Sequence, residues 1–225
     1  MRTELIIFDN DGVLVDSEPL IKIAQVKAFG LYGAEITPEW SYVNLHGLRA
    51  SDVILAVEKH TGVKIPADKM LADFKEILSQ LIDEKLEATL GIKDNLEKLA
   101  QAKKPVCVAT SGPLLETYHK LEATKLAPFF EKNCIFSGEQ VPNGKPAPDL
   151  MLLAANNMDF APENCVVIED APFGIMAAKA AGMYAIGYMG GGHVQHTEGL
   201  SADTLYKAGA DIVINHHNEL LNVIP

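Results

Sequence analysis

The run Leu5-Ile6-Ile7-Phe8, closed by Asp9-Asn10-Asp11-Gly12, constrains the fold of this chain more than any other stretch. Its four apolar residues do not alternate with polar ones, so the segment is buried on both faces, as a central strand of a parallel sheet is. A parallel sheet needs long crossover connections and helices on both faces, which commits the following chain to an α/β plan. Two carboxylates stand two positions apart at the carboxyl end, the edge at which open α/β sheets bind ligands. Carboxylates so close repel unless a cation lies between them or one holds a proton. The pair therefore suits Mg²⁺ and acid–base chemistry. A plain strand-end turn is the competing reading, since Asp, Asn and Gly are all turn residues.

With 225 residues the chain is long enough for a full core and an inserted subdomain. Residues 17–89 read as helical throughout. Ser17 is placed as an N-cap before Glu18-Pro19, and further helices open at Pro38, Ser51 and Pro66. The last carries Met70, Leu71, Phe74, Ile77, Leu78 and Leu81 at helical spacing. From about residue 91 the pattern alternates. Helices are expected at 92–102, 114–125, 150–157 and 173–182, and strands at 105–109, 133–136, 165–168, 184–187 and 210–214. A Gly-rich loop spans 189–199. The expected fold is α/β, a doubly wound parallel (Rossmann-like) sheet with right-handed crossovers and an inserted all-helical cap domain. Residues 1–16 and 90–225 form the core in this reading, and 17–89 the cap.

The net charge of −11 leaves no basic stripe for phosphate backbones, so nucleic acid is not expected as a partner. No 18-residue apolar run suggests a membrane span, and the short apolar start is not a signal peptide. Cys107, Cys134 and Cys165 stand apart with no zinc spacing, and read as buried reduced thiols in a cytoplasmic protein. A monomer or weak homodimer is expected.

The carboxyl ends of the expected core strands collect the chemistry. They carry Asp9 and Asp11, then Thr110 and Ser111, then Glu169 and Asp170, with Lys145 in the loop after Phe136. Four carboxylates converging on one edge need a divalent cation, and all-oxygen ligands select Mg²⁺ over zinc. A cation, a lysine, hydroxyls and strand-end amides together make a receptor for a phosphoryl group. There is no GxxxxGK[ST] phosphate loop and no GxSxG elbow. Gly190-Gly191-Gly192 follows a late strand and opens no helix, so it is no dinucleotide fingerprint. His193 and His196 in that loop have no third ligand in view and read as solvated. Arg49, between two expected helices, offers a fork for an anionic group, against a solvated surface arginine or a helix-end contact.

These stretches resemble the motifs of the haloacid dehalogenase superfamily of phosphohydrolases. The resemblance rests on DNDGVLVDSE at 9–18, Thr110-Ser111, Lys145 in GKPAPD, and Glu169-Asp170 in IEDAPFGIMAAKAAGM, and it covers the chain end to end. The subgroup most similar holds β-phosphoglucomutase, phosphoglycolate phosphatase and the small sugar-phosphate phosphatases. The resemblance implies that Asp9 is a nucleophile forming an aspartyl-phosphate, and that Asp11 is the general acid and then base. It implies that Thr110 and the Ser111-Gly112 segment hold phosphoryl oxygens, while Lys145 neutralises Asp9 and the phosphoryl group. Asp9, Asp170 and the Asp11 carbonyl would bind Mg²⁺, with Glu169 a direct or indirect ligand. Dehalogenases of the superfamily lack the second aspartate, which is present here as Asp11. The mutases carry a cap histidine where this chain has Pro19-Leu20-Ile21-Lys22, and they space glycine and arginine by three where Gly47 and Arg49 are two apart. Hydrolysis of a small phosphorylated metabolite, such as a sugar or sugar-acid phosphate, is therefore expected. A phosphosugar mutase and a non-catalytic phosphate-binding protein are the alternatives.

Overall fold

The computed structural model describes residues 3–45, 50–194, 197 and 199–225, without the side chains of residues 50 and 51. The chain divides into two compact units. One comprises Met1–Asp16, Glu87–Val194 and Gly199–Pro225, and the other Ser17–Leu86 with Gln195–Glu198.

The first unit is built on a parallel sheet of six strands: β1 (Leu5–Phe8), β2 (Val106–Thr110), β3 (Ile135–Ser137), β4 (Cys165–Glu169), β5 (Tyr184–Tyr188) and β6 (Ile212–Ile214). Their spatial order is β3-β2-β1-β4-β5-β6. The chain thus winds outward from β1 in one direction and then, after β3, returns to wind in the other. The crevice where this reversal occurs lies between β1 and β4, the place where a doubly wound sheet offers a ligand site. Every residue of β1 is buried, because β2 and β4 hold both its edges and side chains cover both its faces.

Leu5 and Ile7 point to one face and pack with Cys107, Ala109, Val167 and Ile175. The bare alanines of α8 (Pro172–Ala180), Ala177 and Ala178, belong to the same core and let that helix lie close to the sheet. Phe8 faces the other way and meets Phe130 edge-on, with ring centroids 6.4 Å apart.

Among the described residues the second unit contains four helices: Glu18–Gly30, Pro38–Leu45, Ala50–Thr61 and Ala67–Lys85. Phe29, Ile36, Leu45, Val57, Ile65 and Met70 form its own core. Ser17 stands at the start of the first of these helices, but its backbone is already helical and its side chain makes no capping bond.

Several expected bounds move for local reasons. The strand expected from residue 133 begins at Ile135, because Lys132–Cys134 closes a 3-10 turn first. The last strand starts at Ile212, not residue 210, because the Ala210 amide is spent on Leu205 O, 3.0 Å away, in closing a preceding helix. That helix, Ala202–Ala208, is absent from the sequence reading. It is capped by Ser201, whose side chain accepts from Thr204 N, and ended by Gly209 in the left-handed region. No helix among the described residues is long and apolar enough to cross a membrane. All three cysteines are free thiols, and Cys134 is only half-buried.

Candidate active site at the carboxyl edge of the sheet

Asp9 follows β1 directly, and its amide still donates to Ile168 O at 3.0 Å, so the parallel ladder delivers its carboxylate beside the end of β4. Lys145 bridges the two strands. Its Nζ donates to Asp9 Oδ1 at 2.6 Å, to Glu169 Oε2 at 2.8 Å and to Ala109 O at 3.1 Å. An ammonium has three donors, and these partners use all of them. The side chains involved are nearly closed to solvent, at 6% exposure for Lys145, 9% for Asp9 and 3% for Glu169. Gly174 makes this possible. A Cβ there would lie 2.0 Å from Glu169 Cδ, so α8 can pass over the Glu169 carboxyl only on a bare backbone.

Asp9, Glu169 and Asp170 each offer an oxygen, and the three lie within 4.8 Å of one another. Three carboxylates share this buried place with one lysine. Burial first, and then the Glu169 charge, push Asp9 up to about 8 despite the lowering effect of Lys145. Burial likewise raises Glu169, to about 7, with Asp170 adding to it. Burial pulls Lys145 down, but Asp9 and Glu169 outweigh it and hold the ammonium above its ordinary value. The excess negative charge and the all-oxygen donors fit a hard divalent cation such as Mg²⁺, which would restore the ionised form of both carboxylates.

Gly12 adopts φ +81°, a left-handed turn open to glycine, and closes it by donating to Val15 O at 2.8 Å. A Cβ on Gly12 would lie 1.8 Å from Asp170 Oδ2, so the turn packs directly on that carboxylate.

Asp11 does not join Lys145. Its Oδ1 accepts from Lys120 Nζ at 2.6 Å, and Lys120 also pairs with Glu116 at 2.6 Å, one helical turn earlier in α6 (Leu114–Ala123). The Lys120 side chain is only 3% exposed. Burial lowers its pKa, and the two carboxylates more than reverse this, holding it charged. The Asp11 side chain keeps 25% of its surface open.

Thr110 ends β2, and its Oγ1 accepts from Gly112 N at 3.1 Å. A Cβ on Gly112 would touch Thr110 Oγ1 at 3.5 Å and Asp11 Oδ2 at 3.6 Å, so these groups border one small space. Ser137 Oγ donates to Gly112 O at 2.7 Å and anchors the bend of the exposed Ser111 and half-buried Gly112 to the end of β3.

The structure thus brings Asp9, Lys145, Glu169 and Asp170 into one cluster, and Asp11, Thr110 and Gly112 into an adjoining one. Arg49 and His196 lie outside the described residues. His193 corrects the sequence reading. It is 3% exposed, not solvated, and its Nε2 lies 3.1 Å from Asp170 Oδ2. The start of the Gly-rich loop, residues 189–194, folds inward because Gly191 and Gly192 allow close approach, to Gly12 O and to the Asp16 carboxylate respectively. Lys120 escaped the sequence reading, although its spacing of four from Glu116 and its place on the helix after Thr110 were both visible there.

A family model described as haloacid dehalogenase-like hydrolase matches residues 6–188. The chain is 30% identical over 182 residues to the 6-phosphogluconate phosphatase of Escherichia coli (strain K12), spanning 81% of this chain and 80% of that one. It is 32% identical over 192 residues to the phosphorylated carbohydrates phosphatase of Thermotoga maritima, spanning 81% and 83%. A hydrolase from Deinococcus radiodurans R1, crystallised with bound phosphate and sodium, is similar over 97% of this chain and 93% of its own, with a TM-score of 0.81 and 28% identity.

Proposed function

This chain belongs to the haloacid dehalogenase-like hydrolases, and we propose that it hydrolyses the phosphoric monoester of a small sugar or sugar acid through an aspartyl-phosphate, with Mg²⁺ as cofactor. One observation carries this reading. Lys145 holds Asp9 and Glu169 at the switch point of the sheet, with Asp170 beside them.

Asp9 attacks phosphorus. Its carboxylate is aimed by the Lys145 contact at Oδ1, so no rotamer search precedes the reaction. The ammonium also faces the charge that develops on the phosphoryl oxygens, from a site that admits little water. Thr110 Oγ1 and the amides of the turn after β2 take further phosphoryl oxygens. Asp11 gives a proton to the leaving alcohol and then takes one from the water that hydrolyses the acyl phosphate. Its contact with Lys120 is strongest for the carboxylate, the form that acts as base in the second step. Carried on Oδ2, the oxygen that borders Gly112, the proton of the first step leaves Oδ1 able to accept from Lys120, more weakly than the carboxylate does. Asp9 and Asp170 carboxylates and the Asp11 carbonyl would hold Mg²⁺, with Glu169 behind or among them. When bound, the ion supplies the positive charge that keeps Asp9 ionised and offsets the phosphoryl charge.

The assay is release of phosphate from p-nitrophenyl phosphate and from a panel of sugar and sugar-acid phosphates, with Mg²⁺ and with EDTA. Turnover of at least one panel member, lost in EDTA and restored by Mg²⁺, is expected. A protein that binds phosphate but releases none from any ester is a binding protein, and the proposal fails.

A further inference from the structure

We infer that His193 is a positioning residue for the metal site: it fixes the Asp170 carboxylate through an Nε2–H donated to Oδ2, and so sets the affinity for the divalent cation. The inference rests on the reading of Asp170 as a cation ligand and deepens it.

Three observations carry it. The first is the contact itself, 3.1 Å between His193 Nε2 and Asp170 Oδ2, with both side chains nearly sealed from water at 4% and 8% exposure. A hydrogen bond to a carboxylate in such a place is not exchanged for water, so it holds the plane of the carboxylate. The second is how the loop is built. A Cβ on Gly191 would lie 2.8 Å from Gly12 O and 2.8 Å from both His193 Nδ1 and His193 Cε1. The imidazole thus sits against a bare stretch of its own loop, which in turn rests on the turn that follows Asp11. The third lies across the carboxylate. A Cβ on Gly12 would come within 2.8 Å of His193 Cε1 and 1.8 Å of Asp170 Oδ2. Asp170 Oδ2 is therefore walled by the Gly12 turn and by the imidazole. Gly192 N donates to Asp16 Oδ1 at 3.1 Å, which ties the residue before His193 to the chain segment that leads on from the Gly12 turn.

A carboxylate that must coordinate an ion loses rotational freedom when it does so. One already held by a neighbouring donor has less to lose, and its orientation matches the ion before the ion arrives. Groups in this supporting position typically change metal affinity by about 10–100-fold when removed. Lys145 does not take the place of His193, since it spends its donors on Asp9, Glu169 and Ala109.

The test is isothermal titration of the metal-free protein with MgCl₂ for wild type, Asp170→Asn, His193→Ala and His193→Gln. Urea unfolding in EDTA verifies that each variant is folded. The expected result is a Mg²⁺ affinity about 10–100-fold weaker in His193→Ala. His193→Gln, whose side-chain amide can donate to the same oxygen, is expected to recover most of the loss. In steady state the Mg²⁺ concentration for half-maximal rate should rise in step, while the KM for p-nitrophenyl phosphate at saturating Mg²⁺ stays within about twofold. A His193→Ala affinity within twofold of wild type overturns the inference, and so does a His193→Gln variant as weak as His193→Ala. If the wild type takes up no Mg²⁺, or Asp170→Asn takes it up as the wild type does, the metal-site reading itself falls and this inference with it.

Discussion

Acidification from pH 7 to pH 5 is expected to weaken the sheet-bearing unit through one residue that takes no part in the chemistry, His217. Its ring is wholly buried and stacks on Tyr188, with centroids 4.1 Å apart. Nε2 lies 2.9 Å from Val13 O and 3.0 Å from Thr89 Oγ1. A carbonyl only accepts, so Nε2 carries the proton and Nδ1 is the bare nitrogen. Nδ1 is buried and has no hydrogen-bond partner among the described residues. A second proton would charge the ring where nothing accepts it. Burial accordingly lowers the pKa from 6.5 to about 4, with the Val13 carbonyl opposing weakly.

The unfolded chain takes up its proton near 6.5 and the folded one only near 4. The stabilisation is thus complete above pH 6.5 and is lost as pH falls through that window. At 1.36 kcal/mol per pKa unit the loss is about 2 kcal/mol at pH 5 and about 3 kcal/mol by pH 4.

Trp40 is the only tryptophan and belongs to the helical unit, so fluorescence reports the wrong part of the molecule. Hydrogen exchange of peptides covering β1 and β4, followed by mass spectrometry and corrected for intrinsic rates, reads the unit that contains His217. His217→Gln keeps a donor for Val13 O but cannot titrate. Wild type should lose about 2 kcal/mol more than this variant between pH 7 and 5. Equal losses in the two proteins would refute the argument, because every other acidic transition is shared.

Three further outcomes follow from the active-site geometry. Asp9→Asn keeps the shape but cannot attack phosphorus, so kcat should fall by several orders of magnitude with the fold intact by circular dichroism; a tenth of wild-type activity rejects Asp9 as nucleophile. Asp11→Asn should lose about 10²–10⁴-fold on alkyl phosphates and distinctly less on p-nitrophenyl phosphate, whose leaving group needs little protonation; equal losses count against Asp11 as the acid. Gly174→Ala places a Cβ 2.0 Å from Glu169 Cδ. It should displace Glu169 from Lys145, costing about 1–3 kcal/mol in thermal unfolding and most of the activity, whereas an unchanged melting temperature would show that α8 yields freely.

The local plan of this chain is written in its local chemistry. Leu5-Ile6-Ile7-Phe8 reads as a strand covered on both faces, because the run is short, wholly apolar and closed by turn residues. The helix-strand alternation after residue 91 leaves a parallel sheet as the arrangement that buries each apolar run. Departures at residues 133–135 and 202–212 came from turn and capping bonds of one or two residues, too small to mark the hydrophobic pattern.

Other features depend on which strands become neighbours, and hydrophobic periodicity is silent on that. The order β3-β2-β1-β4-β5-β6 makes β1 and β4 adjacent, so Asp9 and Glu169, at the ends of two strands far apart in sequence, meet on Lys145 at 2.6 and 2.8 Å. His193 illustrates the same limit. A histidine among glycines has the composition of a solvated loop, yet the glycines let that loop fold onto Asp170. Lys120 and His217 are polar residues whose burial is set by partners more than a hundred positions away, Asp11 and Val13. Sequence determines which groups can ionise, donate or bury themselves, since those are properties of single residues and short runs. Only the tertiary structure decides which charge faces which, since a long-range ion pair exists only once the strands and loops that carry its two ends have packed.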